Sequence, residues 1–204
     1  MTKIAVFVSG RGSNFKALSS KLSTSGVDAE IALLAANKEC PAAEFARSLG
    51  IETCLVSNAP GNGFLSYEEL LTKMLEKKIG LVVLAGFMKK LPDKIVEAFS
   101  GKIINIHPAL LPSFGGKGMY GMNVHRAVFE SSAKFSGATV HFVDKIYDHG
   151  KIIDQSIVDI HNVVSPEEIA DAVLKKEHEL LPKVVVNFVN GKIKIINGRI
   201  IVED

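Results

Sequence analysis

Residues 4–14, Ile4-Ala5-Val6-Phe7-Val8-Ser9-Gly10-Arg11-Gly12-Ser13-Asn14, decide the fold. Five apolar residues run without interruption into a glycine turn, after which Phe15, Ala17, Leu18 and Leu22 recur at helical spacing. An unbroken apolar run is a strand covered on both faces, and the change to a period near 3.6 residues marks a helix. The alternation continues with strands over 31–36 and 52–56 and helices over 41–49 and about 66–78. The very apolar stretch 81–85 follows, and then a helix opened by Pro92. This pattern predicts an α/β fold whose first half is Rossmann-like, a mostly parallel central sheet with helices on both faces.

The pattern changes after Ile103-Ile104-Asn105-Ile106, where a Gly- and Pro-containing loop runs from His107 to about Asn123 before a helix over 124–130. Loops of this length in compact domains are usually functional. Residues 139–143 and 152–160 read as two antiparallel C-terminal strands joined through Tyr147-Asp148-His149-Gly150. Ser165-Pro166-Glu167-Glu168 reads as a helix start, with Ser165 as N-cap, Pro166 at the first helical position and Glu168 completing a capping box. That helix runs to about Asn190, and Asn197-Gly198 then fits the type I′ turn of a closing hairpin. With no repeat, low-complexity stretch or linker in view, we expect a single domain over 1–204, divided into halves at 1–100 and 101–204.

The chain has 204 residues, 47% of them hydrophobic and 23% charged, which supplies a core and excludes a disordered chain. Lys and Arg number 24 against 22 Asp and Glu, and no run of five like charges marks a nucleic-acid footprint. No apolar run approaches the roughly 18 residues of a membrane span, and the chain opens on a short strand rather than a signal peptide. The expectation is a cytoplasmic protein that binds neither nucleic acid nor membrane. The two cysteines, Cys40 and Cys54, form no CxxC pair, and His125, His141, His149, His161 and His178 show no metal-ligand spacing, so no metal is expected. Ser9 lies outside a GxSxG elbow, which argues against a serine hydrolase.

Three places carry candidate chemistry. The turn Gly10 to Asn14 leaves a strand and opens a helix, the arrangement that holds an anion at the positive end of a helix dipole. Phe15 occupies the third glycine of a dinucleotide fingerprint and no Gly-Lys-Ser/Thr follows, so one monophosphate fits better than a dinucleotide. A turn that merely packs helix on sheet is the alternative. Asn105 and His107 end a buried strand, where α/β folds bind ligands, and strand alternation sends both to one side. An amide donor and an imidazole there serve acyl transfer by binding an oxyanion and moving a proton, although each residue alone also suits a structural role. Asp148 is either a turn-forming aspartate or, facing His107, the carboxylate that keeps the imidazole protonated and positions a water.

Taken in order, several stretches resemble the folate-dependent phosphoribosylglycinamide formyltransferases of the formyltransferase superfamily, over almost the whole chain. They are residues 8–14, Val83-Leu84-Ala85-Gly86-Phe87-Met88, Asn105-Ile106-His107-Pro108-Ala109-Leu110-Leu111-Pro112, residues 137–143, residues 148–153 and Glu177-His178. Asn-Ile-His-Pro and Asp-x-Gly belong to the wider superfamily, which includes methionyl-tRNA formyltransferase and formyltetrahydrofolate deformylase. The Gly-Ser-Asn turn picks out the ribonucleotide branch, and the chain length leaves no room for the extra domains of the other two. The resemblance implies transfer of the formyl group of 10-formyltetrahydrofolate, a co-substrate, to the glycyl amine of glycinamide ribonucleotide in purine biosynthesis. By the same resemblance Gly12, Ser13 and Asn14 hold the phosphate, Glu177 lies near the ribose, and the first half is the phosphate-binding one. The folate lies along Met88, Lys89, Lys90, Leu91, Asn105 and the loop from Ala138 to Asp148, in the catalytic second half. Asn105, His107 and Asp148 are the catalytic trio, the Leu111-Pro112 bond is cis, and relatives are monomers or homodimers.

The chain departs from the family pattern in four places. His149 stands where Asp-Gly-Gly is common, the stretch Gly115 to Asn123 is longer than usual, Lys89 replaces an arginine, and no basic residue lies near Phe64. Two alternatives use the same residues differently: a 10-formyltetrahydrofolate hydrolase, in which water attacks, and a nucleotide-binding module without catalysis.

Overall fold

The structure is a computed structural model that describes residues 1–203. The chain forms two compact units, Met1–Ile104 and Asn105–Asp204. The first holds β1 (Thr2–Val8), α1 (Ser13–Thr24), β2 (Ala29–Ala36), α2 (Pro41–Ser48), β3 (Thr53–Val56), β4 (Phe64–Leu65), α3 (Tyr67–Glu76), β5 (Ile79–Leu84) and α4 (Asp93–Ala98). Its strands lie in the order β4-β3-β2-β1-β5, and every neighbouring pair is parallel. β6 (Ile103–His107) begins beside β5, where the Val82 N–H donates to the Lys102 carbonyl.

Ile4 through Val8 are all 0% exposed, which successive strand residues reach only when both faces of the sheet are covered. Helices do the covering, and Phe15 and Leu18 of α1 and Leu70 and Met74 of α3 are likewise fully buried. β4 was not expected from the sequence, because two residues carry no period. The capping box at α3 also went unread. Ser66 Oγ accepts from the Glu69 N–H at 3.1 Å while Glu69 Oε2 accepts from the Ser66 N–H at 2.7 Å.

In the second unit the rest of β6 is followed by α5 (Met122–Glu130), β7 (Phe135–Phe142), β8 (Ile152–Asp159), α6 (Pro166–Val189), β9 (Ile193–Ile196) and β10 (Arg199–Val202). The order is β6-β7-β8, with β7 and β8 antiparallel from Phe135 opposite Asp159 to His141 opposite Ile152. The expected architecture, a mostly parallel sheet with antiparallel C-terminal strands, is the one found.

β7 starts at Phe135, ahead of the expected Thr139, because Ser136 and Gly137 carry no strand signal of their own. A Cβ at Gly137 would fall 2.1 Å from the Ser156 carbonyl oxygen and 2.6 Å from Leu110, so the close approach there requires glycine. At α6 the expected capping box is half formed. Ser165 Oγ accepts from the Glu168 N–H, but Glu168 Oε2 accepts from the Val164 N–H instead of that of Ser165. The β9–β10 turn has Asn197 at φ 50° and Gly198 at φ 79°, as a type I′ turn demands.

Ser66→Ala removes one arm of the α3 capping box and is expected to cost about 1 kcal/mol of stability, measured by urea denaturation.

Candidate active site

Asn105, His107 and Asp148 are brought together in the second unit, and a buried hydroxyl organises the loop that leaves β6. Thr139 is 0% exposed, and its Oγ1 donates to the Ala109 carbonyl at 2.7 Å. The same oxygen accepts from the Leu111 N–H at 3.1 Å and from Gln155 Nε2 at 2.9 Å. Gln155 Nε2 also donates to the Leu111 carbonyl at 3.0 Å. The chain leaving β6 is thereby fixed from Ala109 to Leu111, next to a cis Leu111-Pro112 bond as the family resemblance implied.

Farther along this loop Phe114 takes a left-handed conformation, φ 55°, and its carbonyl accepts from His107 Nε2 at 2.9 Å. A carbonyl only accepts, so Nε2 carries a proton and donates it there, leaving Nδ1 as the nitrogen turned toward Asp148. Nδ1 faces Asp148 Oδ2 at 3.6 Å, an ion-pair distance rather than a hydrogen bond. The same Oδ2 accepts from the Gly116 N–H at 2.8 Å. Gly115 permits this approach, since a Cβ there would lie 2.6 Å from Leu111 Cδ2 and 3.1 Å from Asp148 Cβ.

Asn105 meets a residue that sequence reading set aside. Its Nδ2 lies 3.1 Å from His141 Nε2, and His141 Nδ1 lies 2.8 Å from the Phe142 carbonyl. The carbonyl requires a proton on Nδ1, so neutral His141 accepts at Nε2 from the Asn105 amide and leaves one amide hydrogen of Asn105 free. Asp148 Oδ1 stands 3.7 Å from His141 Nε2, so contacts run in series from Asn105 through His141 and Asp148 to His107. Burial pushes the His141 pKa down, against the Phe142 hydrogen bond and the Asp148 charge, which push it up. Burial, and next the charge of His107, lowers that of His125 on α5, whose buried Nδ1 has no hydrogen-bond partner among the described residues. His141 follows Thr139 by two residues on β7 and shares its strand face, a relation that marks it only once the structure has placed Thr139. Thr139, Gln155 and Gly116 act through main-chain hydrogen bonds that no spacing rule announces.

In the first unit Gly12 is the N-cap of α1 at φ 72°, and a Cβ there would fall 2.4 Å from Ala42 Cβ. Ala42 in turn donates its N–H to the Gly10 carbonyl at 3.2 Å, holding the turn against α2. Gly12 makes no side-chain cap bond to α1, and a helix start of this kind is the general setting for an anion. Asn14 is buried.

Met88 is 53% exposed and donates its N–H to Ser9 Oγ at 2.9 Å, while Lys89 and Lys90 are exposed and Leu91 is buried. Glu177, in the second unit, is buried on α6. Among the described residues, no group of three or more His, Cys, Asp or Glu is placed to hold a metal ion, and no helix is long and apolar enough to cross a membrane.

An amide donor, an imidazole and a carboxylate near a strand end are the groups that transfer at a carbonyl carbon calls for. The chain belongs to the formyl transferase family, whose profile matches residues 2–185. Within it, this chain is similar to phosphoribosylglycinamide formyltransferases. It is 46% identical over 196 residues to the chloroplastic enzyme of Arabidopsis thaliana, covering 94% of this chain and 67% of the relative. It is 35% identical over 187 residues to the Bacillus subtilis enzyme, covering 91% of this chain and 93% of the relative. The crystal structure of phosphoribosylglycinamide formyltransferase from Anaplasma phagocytophilum superposes with a TM-score of 0.88 at 35% identity, covering 99% of this chain and 93% of that one.

The depressed pKa of His141 gives stability a pH dependence of known sign. Below its ordinary 6.5 the unfolded chain binds a proton that the folded site resists, so stability is complete above that value and is lost as pH falls toward the lower folded pKa. Urea denaturation at about pH 5 and about pH 7.5 should show this loss, and His141→Gln should reduce the difference. Gly12→Ala, which forces a side chain into left-handed backbone against Ala42, is expected to cost about 1–3 kcal/mol in the same assay.

Proposed function

We propose that the protein transfers the formyl group of 10-formyltetrahydrofolate to the glycyl amine of glycinamide ribonucleotide, forming formylglycinamide ribonucleotide in purine biosynthesis. The observation that carries this reading is the series of contacts from Asn105 through His141 and Asp148 to His107 in a formyl transferase chain. The names of the relatives supply phosphoribosylglycinamide and formyl transfer, the family resemblance supplies 10-formyltetrahydrofolate as donor, and the helix start at Gly12, Ser13 and Asn14 suits the ribonucleotide phosphate. Glu177 is assigned to the ribose. Exposed Met88, Lys89 and Lys90, the main chain of buried Leu91 and the segment from Ala138 to Asp148 are assigned to the folate.

The neutral glycyl amine attacks the formyl carbon, forming the new C–N bond as the carbonyl π pair moves to oxygen. The oxyanion takes hydrogen bonds from the free Asn105 amide hydrogen and from protonated His107 Nδ1, whose charge Asp148 balances at 3.6 Å. The ammonium so formed loses a proton through a water on Asp148. N10 of the folate gains one as the C–N10 bond breaks, so tetrahydrofolate leaves and no net proton is consumed beyond that released by the amine. Holding both substrates supplies several kcal/mol of the barrier through proximity. Placement in the cytoplasm remains part of this proposal; the Arabidopsis relative is named as chloroplastic.

The test follows release of deformylated folate spectroscopically, with and without glycinamide ribonucleotide. Release that requires the ribonucleotide supports the transferase, release without it makes the protein a hydrolase, and no release leaves a binding module. Asn105→Ala and His107→Ala should fold normally and lose about 10²–10³-fold in kcat. Unfolding or near-normal turnover of either would overturn the role assigned to it.

A further inference from the structure

Asp148 holds a left-handed backbone, which aspartate tolerates better than most residues with a Cβ but which still needs support, and the device that supports it lies outside the reacting groups. Its φ is 53°, in the left-handed region where a Cβ is crowded. The connection between β7 and β8 that carries it is closed at its base by the Phe142 N–H, which donates to the Lys151 carbonyl at 2.9 Å. Gly150 is pressed onto the Phe142 carbonyl so closely that a Cβ would fall 1.8 Å from its oxygen. Between these points Ile146 and Tyr147 are 61% and 47% exposed, so the residues leading into Asp148 are not anchored by burial.

A side-chain link spans that exposed stretch. Asp144 Oδ1 accepts from the Ile146 N–H at 2.8 Å, and Asp144 Oδ2 lies 2.9 Å from His149 Nδ1. A carboxylate only accepts, so His149 Nδ1 donates, and it does so as imidazole or as imidazolium. The link joins the first turn of the loop to the residue that directly follows Asp148. The carboxylate of Asp148 is thereby presented to the Gly116 N–H at 2.8 Å and to His107 Nδ1 at 3.6 Å.

We propose that His149, clasped to Asp144, is a positioning residue for the catalytic carboxylate: it closes the loop on both sides of Asp148 and fixes the left-handed turn that aims this group at His107. The proposal rests on the formyl-transfer reading above. His149 does not touch the reacting atoms in this scheme. Its effect reaches the chemistry only through the orientation of Asp148, so it belongs in kcat and not in the affinity for the ribonucleotide. An exposed ion pair is a modest restraint, and the expected loss is correspondingly small.

The test is steady-state formyl transfer by the full chain, with the parent protein measured first. His149→Ala is expected to lower kcat about fivefold with an unchanged KM for glycinamide ribonucleotide, the size of effect an exposed charged pair supports. His149→Gln, which keeps a donor for Asp144, should recover most of the loss. Asp144→Ala should match His149→Ala, and combining the two should cost no more than either alone. The decisive comparison places His149→Ala in an Asp148→Asn background, where it should have almost no further effect. A full fivefold loss in that background, an unchanged kcat in the single variant, or no recovery with glutamine would each overturn the clasp. A parent protein without ribonucleotide-dependent transfer would instead overturn the functional reading on which it rests.

Discussion

The second unit depends on a hydroxyl with no exposure to water. Thr139 Oγ1 uses its one proton on the Ala109 carbonyl and accepts from Leu111 and Gln155, so its hydrogen-bonding capacity is met inside the protein. Irregular main chain is expensive to bury because its polar groups lose water, and here the threonine and the glutamine replace that water for the segment leaving β6. Once Ala109 to Leu111 are fixed, the path through Phe114, Gly115 and Gly116 is restricted as well. The Phe114 carbonyl then reaches His107, and the Gly116 amide reaches Asp148.

Two histidines one strand apart are set to opposite tasks by the main-chain carbonyls they meet. His141 gives its Nδ1 proton to Phe142 and presents Nε2 as an acceptor, so it orients the Asn105 amide. His107 gives its Nε2 proton to Phe114 and turns Nδ1 toward Asp148. Burial reinforces the difference for His141 by disfavouring its charged form. The same imidazole chemistry therefore yields a fixed acceptor for an amide in one place and a nitrogen facing a carboxylate in the other. Asp148 faces both, and its left-handed backbone ties this electrostatic arrangement to the β7–β8 connection.

The first unit contributes a simpler device. Its parallel strands bury both faces, its helices begin at the strand ends, and α1 begins on a glycine whose α-hydrogen is all that fits beside Ala42. Close packing of the turn on α2 and the absence of a capping side chain on α1 have one cause, the lack of a side chain at residue 12. A helix start without a capping side chain at its N-cap is the general setting in which main-chain N–H groups meet anions.

The order and type of the main elements were legible in the sequence because period and punctuation are local properties. The unbroken run at Ile4 to Val8, the glycine turn after it, the Ser165-Pro166 helix start and the Asn197-Gly198 turn each act within a few residues, and the structure contains each. Asn105 and His107 could also be placed on one side of β6, since alternation along a strand is fixed by its geometry. What the sequence could not determine is where partners distant in the chain meet. Two residues at β4 have no period, Glu168 chose Val164 over Ser165, and the early start of β7 depends on Gly137 fitting against Ser156 and Leu110. His141, Thr139, Gln155 and Gly116 matter through hydrogen bonds to residues 16 to 44 positions away, or in one case to main chain that itself had to be placed first. Local conformation follows from neighbours in the chain, whereas satisfaction of buried polar groups follows from neighbours in space, and only the tertiary structure supplies those.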